Sequence, residues 1–517
     1  MKENLFLGIE LGSTRIKSVL IDAEARVVAS GAYEWENILV DGLWSYPLSQ
    51  VEEGLQTSFA SLSADYLAKT GKHLHHVGAI GISAMMHGYL AFNREGELLA
   101  PFRTWRNTNA AVAAAELSGA FSFNVPMRWS VSQFYQSVLD GEEHVKEIDF
   151  LTTLSGYVHY KLTGNKVIGV GDASGMFPIS GGDYDRNMLD ILNARLSKMG
   201  HSIKFESVLP KVLSAGENAG VLTESGARFL DPTGALECGC PLCPPEGDAG
   251  TGMVATNSTA PRTANVSAGT SAFLMAVLDK ELNGYYPEID VVTTPDGSPV
   301  AMVHVNNFAS EITAWTELFG EVIALGGGNI SKGALYDALY KISSEGDDAC
   351  GGMLGYNFLA GEPIVGVDNG LLTVMRTPGG RLSLANFMKM QIYSALGALA
   401  MGVKILDEEN VEIASVCGHG GFFKCERVGQ AAMSAALKAP VTVMQNAGEG
   451  GAWGIALLAL FTYNGGKDLG AFLGDIFADS AKSTVEATDA EKADFDRFME
   501  IYKKGLAAER YSADILA

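Results

Sequence analysis

The feature that most constrains the fold is a turn that occurs twice. "GSTRIKSVLI" (Gly12–Ile21) and "GTSAFLMAVL" (Gly269–Leu278) each contain a glycine, two hydroxyl residues and then an apolar strand. The two copies lie 257 residues apart, close to half of the 517-residue chain. An ancestral duplication would place copies at this spacing, so we expect two similar halves.

Apolar runs around the first turn predict neighbouring strands. Leu5–Glu10, Ile16–Asp22 and Val27–Trp35 are separated by short polar or glycine-bearing turns, and this pattern is typical of a β-meander. Val77–Ala84 is a further buried-strand run, and helical spacing of apolar residues follows between residues 130 and 162. Strands that alternate with helices indicate an α/β fold.

The length of the chain predicts more than one domain, because single hydrophobic cores stop growing at about 250–300 residues. Small and polar residues become frequent over Thr251–Thr263. We therefore expect an N-terminal domain over residues 1–255 and a C-terminal domain over residues 256–517.

The charge of the chain argues against two classes of partner. The sequence has 37 basic and 60 acidic residues, a formal charge of −23 and a pI ≈ 4.8. Such a surface repels nucleic-acid phosphates and anionic lipid, so we expect no nucleic-acid or membrane partner. A small anionic substrate is not excluded, because a local site can oppose the global field.

Three further patterns predict a cytoplasmic protein. The longest apolar run, Gly451–Phe461, falls well short of the roughly 18 residues that span a bilayer. The first residues lack the pattern of a secretory signal. Six cysteines do not form the disulfide framework of a small secreted protein.

Cys238, Cys240 and Cys243 lack the two separated pairs typical of structural zinc, and we interpret them as a cysteine-rich loop.

The two turns suggest a site for phosphates. A glycine turn between strands exposes backbone amides, and flanking hydroxyls add donors, so two such turns facing each other across a cleft would grip a polyphosphate. Glu10 ends the first strand, where a carboxylate would hold the divalent metal that accompanies a nucleotide. A late glycine loop, "GHGG", permits close approach by an adenosine ring. The predicted nucleotide contacts are Gly12, Ser13, Thr14, Gly269, Thr270, Ser271, Gly420, Gly421 and Lys424.

Taken in order, these motifs resemble the FGGY carbohydrate kinases of the actin–hexokinase–heat-shock-ATPase superfamily. "LGIELGSTRIKSVLID" resembles the first phosphate motif of the family, "NVSAGTSAFLMAV" the second, and "ASVCGHGGFFKCERVGQAAMSAALKAPVTV" the adenosine segment. The resemblance runs from about residue 5 to about residue 462. It implies two duplicated ribonuclease-H-like, actin-like ATPase domains that flank a nucleotide and sugar cleft. The family usually has aspartate where Glu10 stands.

Asp248 is the candidate catalytic base. It stands in "PPEGDAGTG", and the residues alone leave open whether it merely shapes a turn. By resemblance it matches the aspartate of the family's "GD" element, which takes the proton from the sugar hydroxyl. The resemblance also implies that Asp248 and Glu10 hold Mg²⁺. Such a carboxylate is what phosphoryl transfer to a hydroxyl requires.

Two segments are candidates for sugar binding. A histidine beside an apolar strand is more often structural, but Met86-His87-Gly88 resembles the MHG element of the xylulokinase branch, which implies that Met86 and His87 contact the ketose. In "FRTWRNTNA", Trp105 matches the tryptophan of the W-x-D-x-R pattern. Asn107 and Asn109 replace its acid and its arginine, and Arg106 is inserted.

The resemblance implies an ATP- and Mg²⁺-dependent kinase of a small sugar, most closely a ketopentose such as xylulose or ribulose. The alternatives are another sugar, a polyol or a sugar acid as substrate, an ATPase switch with an iron–sulfur cluster on the three cysteines, or a sugar-binding regulator. Asp172, in "GDASG", fits either the sugar site or a structural hydrogen bond. The oligomeric state is open, with a homodimer as one alternative.

Overall fold

The computed structural model describes residues 4–425, 427–444 and 450–516. The N-terminal half is mixed α/β. Its strands are β1 (Phe6–Leu11), β2 (Arg15–Ile21), β3 (Val27–Glu34), β4 (Ile38–Val40), β5 (Leu43–Ser45), β6 (Ala79–Ala84), β7 (Leu90–Phe92), β8 (Phe150–Thr152), β9 (Val167–Gly169), β10 (Ile179–Ser180), β11 (Asp183–Tyr184), β12 (Lys211–Leu213) and β13 (Glu246–Gly247). Its helices are α1 (Leu48–Thr70), α2 (Ala111–Phe121), α3 (Ser130–Leu139), α4 (Leu154–Thr163), α5 (Val170–Ala173), α6 (Arg186–Lys198), α7 (Glu224–Leu230) and α8 (Asp248–Ala255).

The C-terminal half is also mixed α/β. Its strands are β14 (Thr263–Ala268), β15 (Ala272–Val277), β16 (Ile289–Thr293), β17 (Pro299–Val305), β18 (Met353–Asn357), β19 (Leu372–Arg376), β20 (Ser415–His419), β21 (Val441–Met444) and β22 (Lys482–Val485). Its helices are α9 (Ser310–Leu325), α10 (Lys332–Ser343), α11 (Leu384–Glu408), α12 (Val428–Leu437), α13 (Gly450–Tyr463), α14 (Leu469–Phe477) and α15 (Asp489–Leu516).

The chain forms two compact units, and neither is continuous in sequence. The first unit contains Met1–Ala260, Asp290–Val300 and Ala447–Asp479, and the second contains Pro261–Ile289, Ala301–Asn446 and Ser480–Ala517. The domain boundary between residues 255 and 256 stays a prediction. A single boundary of this kind leaves out the two segments of the C-terminal half, Asp290–Val300 and Ala447–Asp479, that belong to the first unit.

The sheet of the first unit confirms the predicted meander. Its strands have the order β13-β6-β1-β2-β3; β2 is antiparallel to both β1 and β3, whereas β6 pairs in parallel with β1 and with β13. In β1, Leu7, Ile9 and Leu11 are fully buried. These three residues lie on one face of the strand, and Phe6 and Gly8 on the other face are buried as well, so the strand is buried on both faces except at Glu10.

Helix α13 covers one face of this sheet. It contains the longest apolar run of the chain, and eleven of its residues are buried. Gly8 on β1 allows the close approach, because a Cβ there would lie 2.1 Å from the carbonyl oxygen of Ala452. Among the residues that the structure describes, no helix is long and apolar enough to cross a bilayer.

The second unit repeats the arrangement of the strands that surround the first turn in the first unit. Strands β14 and β15 form an antiparallel hairpin, and β14 pairs in parallel with β20, as β1 pairs with β2 and β6. The strand order here is β17-β15-β14-β20-β21-β22. The duplication that the two turns predict is therefore present in the fold.

Candidate active site

In the first unit, the carboxyl ends of three adjacent parallel strands lie side by side. Leu11 of β1 pairs with Ala84 of β6, and Ala84 pairs with Gly247 of β13. The first glycine turn, the segment that contains Met86, and Asp248 all follow these ends directly. Ligands of α/β proteins bind at the carboxyl ends of such strands.

In the first turn, Gly12–Thr14, the backbone carbonyl groups already accept hydrogen bonds from the protein, so the groups left for a ligand are hydrogen-bond donors. Trp35 Nε1 donates to the Gly12 carbonyl at 2.7 Å, and the Trp35 backbone N–H donates to the Thr14 carbonyl at 3.2 Å. The Tyr46 hydroxyl donates to the Ser13 carbonyl at 2.6 Å. Within the described residues, the N–H groups and hydroxyls of Ser13 and Thr14 make no hydrogen bond. Such a turn suits an anion.

Glu10 accepts a hydrogen bond from a helix N-terminus. Its Oε2 receives the N–H of Ala452 on α13 at 3.1 Å, and a Cβ at Gly451 would lie 2.5 Å from its Oε1. Burial, with a smaller contribution from Asp248, raises the pKa of Glu10 to about 7. A cation at this carboxylate would offset that burial cost.

Asp248 is the first residue of α8 and is partly exposed. Its Oδ1 accepts the backbone N–H of Met86 at 3.1 Å and that of Ala249 at 3.0 Å. Burial raises the pKa of Asp248, and these amide hydrogen bonds oppose the rise. Since both bonds end on Oδ1, Oδ2 is the oxygen available to a ligand.

His87 is buried and has two partners within the protein. Its Nδ1 lies 3.2 Å from the Gly175 carbonyl oxygen, and Arg128 Nε donates to its Nε2 at 3.2 Å. These partners require the neutral tautomer with hydrogen on Nδ1. Burial, and next the charge of Arg128, lower the pKa of His87 to about 3. A direct contact between His87 and a ligand would replace one of the two bonds.

Arg128 and Asp290 are two further candidate site residues, which the sequence analysis did not identify. The guanidinium Nη2 forms an ion pair with Asp290 Oδ2, and Asn124 Nδ2 donates to Asp290 Oδ1 at 2.7 Å. The Arg128 side chain is 25% exposed, and its Nε lies beside His87. Arg128 and Trp129, which precede α3, belong to no motif that would have identified Arg128 from the sequence.

Asp172 supports a structural interpretation. The hydroxyls of Thr153 and Ser155 donate to its Oδ2, the first at 2.7 Å. Its own N–H donates to Glu246 Oε2 at 3.0 Å. Burial raises the pKa of Asp172 to about 7, and burial raises the pKa of Glu246 strongly. Since Asp172 is buried and hydrogen bonds to residues of its own unit, a structural role fits it better than a sugar contact.

Trp105 is 41% exposed and lines an open groove of ≈ 410 Å³. The other lining residues are Ser13, Thr14, Glu36, Asn37 and Arg106. The predicted sugar-wall tryptophan and the first phosphate turn are thus brought together in one groove.

The two asparagines that replace the family's acid and arginine have structural partners. Asn107 Oδ1 accepts the backbone N–H of Trp44 at 2.8 Å, and its Nδ2 donates to the Trp44 carbonyl at 2.9 Å. Asn109 Oδ1 accepts from Gln133 Nε2 at 3.2 Å. A carboxylate at position 107 could not donate to the carbonyl, so the amide fixes this loop.

In the second unit, the turn Gly269–Ser271 has the same character as the first turn. Phe308 N–H donates to the Thr270 carbonyl at 2.9 Å, and Ala309 N–H donates to the Gly269 carbonyl at 3.2 Å. Gly269 and Thr270 are exposed. This turn too presents donors, because neighbouring backbone occupies its carbonyls.

The glycine loop after β20 requires its first glycine. Gly420 has φ +105°, and a Cβ there would lie 2.3 Å from the Ala268 carbonyl oxygen. A Cβ at Gly421 would meet no atom of the described residues within 4 Å, and Lys424 is exposed. The loop therefore lies against the end of β14, next to the second turn in its own unit.

The duplicated hairpin with a parallel third strand gives the chain a two-domain α/β fold, and two family models that together match most of the chain place it in the class of carbohydrate kinases. Residues 5–234 match the N-terminal domain, and residues 264–463 the C-terminal domain, of the FGGY family of carbohydrate kinases. The chain belongs to this family.

Curated relatives of the chain are xylulose kinases of low identity. That of Haemophilus influenzae is 20% identical over 440 residues, which are 81% of this chain and 83% of that protein. That of Staphylococcus xylosus is 23% identical over 242 residues, which are 43% of this chain and 46% of that protein. The chain thus spans less than half the length of the second relative in this match.

Solved structures extend the likeness over nearly the whole chain. A xyloylose kinase from Brucella ovis has a TM-score of 0.78 and 19% identity, with 98% of this chain and 99% of that chain covered. A gluconate kinase from Lactobacillus acidophilus has a TM-score of 0.80 and 15% identity, with both chains covered completely. At these identities the likeness concerns the fold.

Proposed function

We propose that this chain is an ATP-dependent kinase that transfers a phosphoryl group to a hydroxyl of a small sugar, a ketopentose such as xylulose or ribulose. The observation that carries the proposal is the position of Asp248. Its carboxylate stands at the strand edge, oriented by the Met86 amide and next to the segment that contains His87. The family and its xylulose kinase relatives support the substrate class.

The proposed chemistry of Asp248 is proton transfer. Its Oδ2 accepts the proton of the sugar hydroxyl while the hydroxyl oxygen of the sugar attacks the phosphorus atom. The two hydrogen bonds from backbone amides to Oδ1 stabilise the ionised form of Asp248 and fix the orientation of the carboxylate. The raised pKa makes Asp248 a better proton acceptor than an exposed aspartate.

The residues of the first unit fit Mg²⁺ and phosphate. Glu10 and Asp248 would hold the metal, with Asp248 acting through a metal-bound water so that its Oδ2 stays open to the hydroxyl proton, since Mg²⁺ usually keeps several waters and binds one or two carboxylates together with substrate phosphates. In the described part of the chain, no group of three or more His, Cys, Asp or Glu side chains could hold a metal ion alone. When bound, Mg²⁺ neutralises charge on the phosphoryl group. Ser13 and Thr14 donate to phosphate oxygens.

The remaining predicted contacts follow from the donors of each segment. Gly12 permits the backbone of the first turn to approach a phosphate. In the second unit we assign the nucleotide to Gly269, Thr270, Ser271, Gly420, Gly421 and Lys424. For the sugar we assign Met86, His87 and Trp105, with His87 acting chiefly through Arg128, because both of its ring nitrogens are occupied.

A coupled assay of ATP turnover against ketopentoses, polyols and sugar acids tests the proposal. We expect a ketopentose to accelerate turnover and Asp248→Asn to abolish that acceleration. A better rate with a polyol or sugar acid would support the alternative substrate classes. Turnover that no sugar accelerates would support an ATPase switch and overturn the kinase proposal.

A further inference from the structure

Arg106 is a cation without a counter-charge in the groove that the first phosphate turn lines. Within the described residues no carboxylate lies within ion-pair distance of it, although Glu36 lines the same groove. By contrast, Arg103 pairs with Glu142, and Arg128 pairs with Asp290. We propose that Arg106 binds the transferring phosphoryl group; this inference rests on the proposed kinase function.

The guanidinium of Arg106 is held in place before any ligand arrives. Its Nη1 donates to Asn37 Oδ1 at 3.2 Å, and its Cζ lies 4.4 Å from the centre of the Trp44 ring. The guanidinium has further N–H groups that these contacts do not use. An arginine fixed in this way loses little freedom when it binds an anion.

A short chain of contacts links Arg106 to the turn. Asn37, which binds Arg106, also hydrogen bonds to Tyr46, and the Tyr46 hydroxyl donates to the Ser13 carbonyl at 2.6 Å. Burial raises the pKa of Tyr46, and the positive charge of Arg106 opposes the rise. The cation therefore lies close to the hydroxyl and amide donors that we assign to phosphate.

Asn107, the next residue in the chain, adds no negative charge beside Arg106. This position holds the acid in the pattern that the segment resembles, but here a buried amide binds the backbone of Trp44. The amide supports the ring under the guanidinium and adds no negative charge. Arg106 is thus a local positive charge in a protein whose formal charge is −23.

In the reaction, the bond from phosphorus to the leaving oxygen of ATP breaks and a bond to the sugar oxygen forms. The hydroxyl proton passes to Asp248, and Arg106 stays protonated throughout. Its N–H groups donate to phosphoryl oxygens, where negative charge must be stabilised. Arginines that act on this charge accelerate phosphoryl transfer in other enzymes by about 10³- to 10⁵-fold. The exposed position of Arg106 predicts a smaller effect.

The test compares Arg106→Ala, Arg106→Lys and the control Arg26→Ala in the full-length protein. Arg26 is a surface arginine paired with Asp22 and Glu24, with a side chain 72% exposed. We expect Arg106→Ala to lower kcat by about 10- to 100-fold with little change in the KM of the sugar, and Arg106→Lys to lower it less. Millimolar guanidinium chloride should restore part of the Arg106→Ala activity, and Arg26→Ala should match the wild type.

The outcomes separate the two proposals. Wild-type turnover with an unchanged Arg106→Ala rate would overturn this inference alone. A lower rate without guanidinium rescue, together with unchanged affinity for the phosphorylated product, would also overturn it, because that result indicates a structural role. No sugar-dependent turnover in the wild type would overturn both proposals.

Discussion

Arg128 donates a hydrogen bond from Nε to Nε2 of His87 at 3.2 Å, and this contact fixes the protonation state of the histidine. The imidazole must accept at Nε2 and donate from Nδ1 to Gly175. A protonated ring would place two positive charges side by side in a buried location. His87 is therefore a neutral positioning group for Arg128 over the physiological range of pH.

The first prediction concerns the pH dependence of stability. The pKa of His87 is lowered to about 3 in the folded state, so the unfolded chain binds more protons between pH 3 and about 6.5. The stability that neutral His87 contributes above pH 6.5 is lost as the pH falls. We expect the free energy of unfolding of the wild type, relative to His87→Asn, to fall by up to about 1.4 kcal/mol per pH unit below pH 6.

Urea unfolding of both proteins at several pH values measures this difference. Asparagine is chosen because it tolerates the left-handed backbone of position 87, where φ is +69°. Parallel stability curves for the two proteins between pH 4 and pH 7 would contradict the prediction.

The second prediction concerns Asp248. Asp248→Asn keeps an oxygen that accepts the Met86 N–H, so the fold should be retained. Because an amide cannot take the hydroxyl proton, we expect kcat to fall by about 10²- to 10⁴-fold. Steady-state kinetics and thermal unfolding of the variant, with the surface variant Asp183→Asn as control, check this result. Substantial turnover by Asp248→Asn would remove Asp248 from the base role.

The third prediction separates the two roles of Glu10. Glu10→Gln keeps an acceptor for the Ala452 N–H, whereas Glu10→Asp is one methylene too short to keep that bond without movement. We expect Glu10→Asp to lose about 1 kcal/mol of stability and Glu10→Gln to lose little. Glu10→Gln should instead require more Mg²⁺ for half-maximal turnover, because it removes the charge.

Thermal unfolding and Mg²⁺ titration of both variants distinguish these effects. Unchanged Mg²⁺ dependence in Glu10→Gln would show that Glu10 only supports α13. Unchanged stability in Glu10→Asp would show that the capping bond to Ala452 contributes little.

The strands and the first turn could be predicted from the sequence because their signals are local. The run Leu5–Glu10 predicts a strand that the structure places at Phe6–Leu11, and the second turn lies between β14 and β15 as its repeat implies. Buried strands and glycine turns depend on neighbours in the sequence. The order of the motifs was sufficient to indicate the family.

The supporting contacts of the site could not be predicted, because they join residues far apart in sequence. Glu10 meets Ala452 across 442 positions, and Arg128 meets Asp290 across 162. Side-chain pairs of this kind have no periodic pattern. For the same reason, composition near residue 255 did not reveal that residues 447–479 join the first unit.

The last prediction concerns the charge of the substrate. Asp290 neutralises Arg128, and Asn124 supports the carboxylate, so the guanidinium beside His87 offers no net charge to a ligand. We expect the wild type to prefer a neutral ketopentose to a sugar acid. Asp290→Asn keeps an acceptor for Arg128 but releases its charge, so the ratio of kcat/KM for gluconate to that for xylulose should rise by about tenfold, or 1.4 kcal/mol. Asp296→Asn, on the same chain segment, is the control. A wild type that prefers gluconate, or an unchanged ratio in Asp290→Asn, would place substrate selection elsewhere.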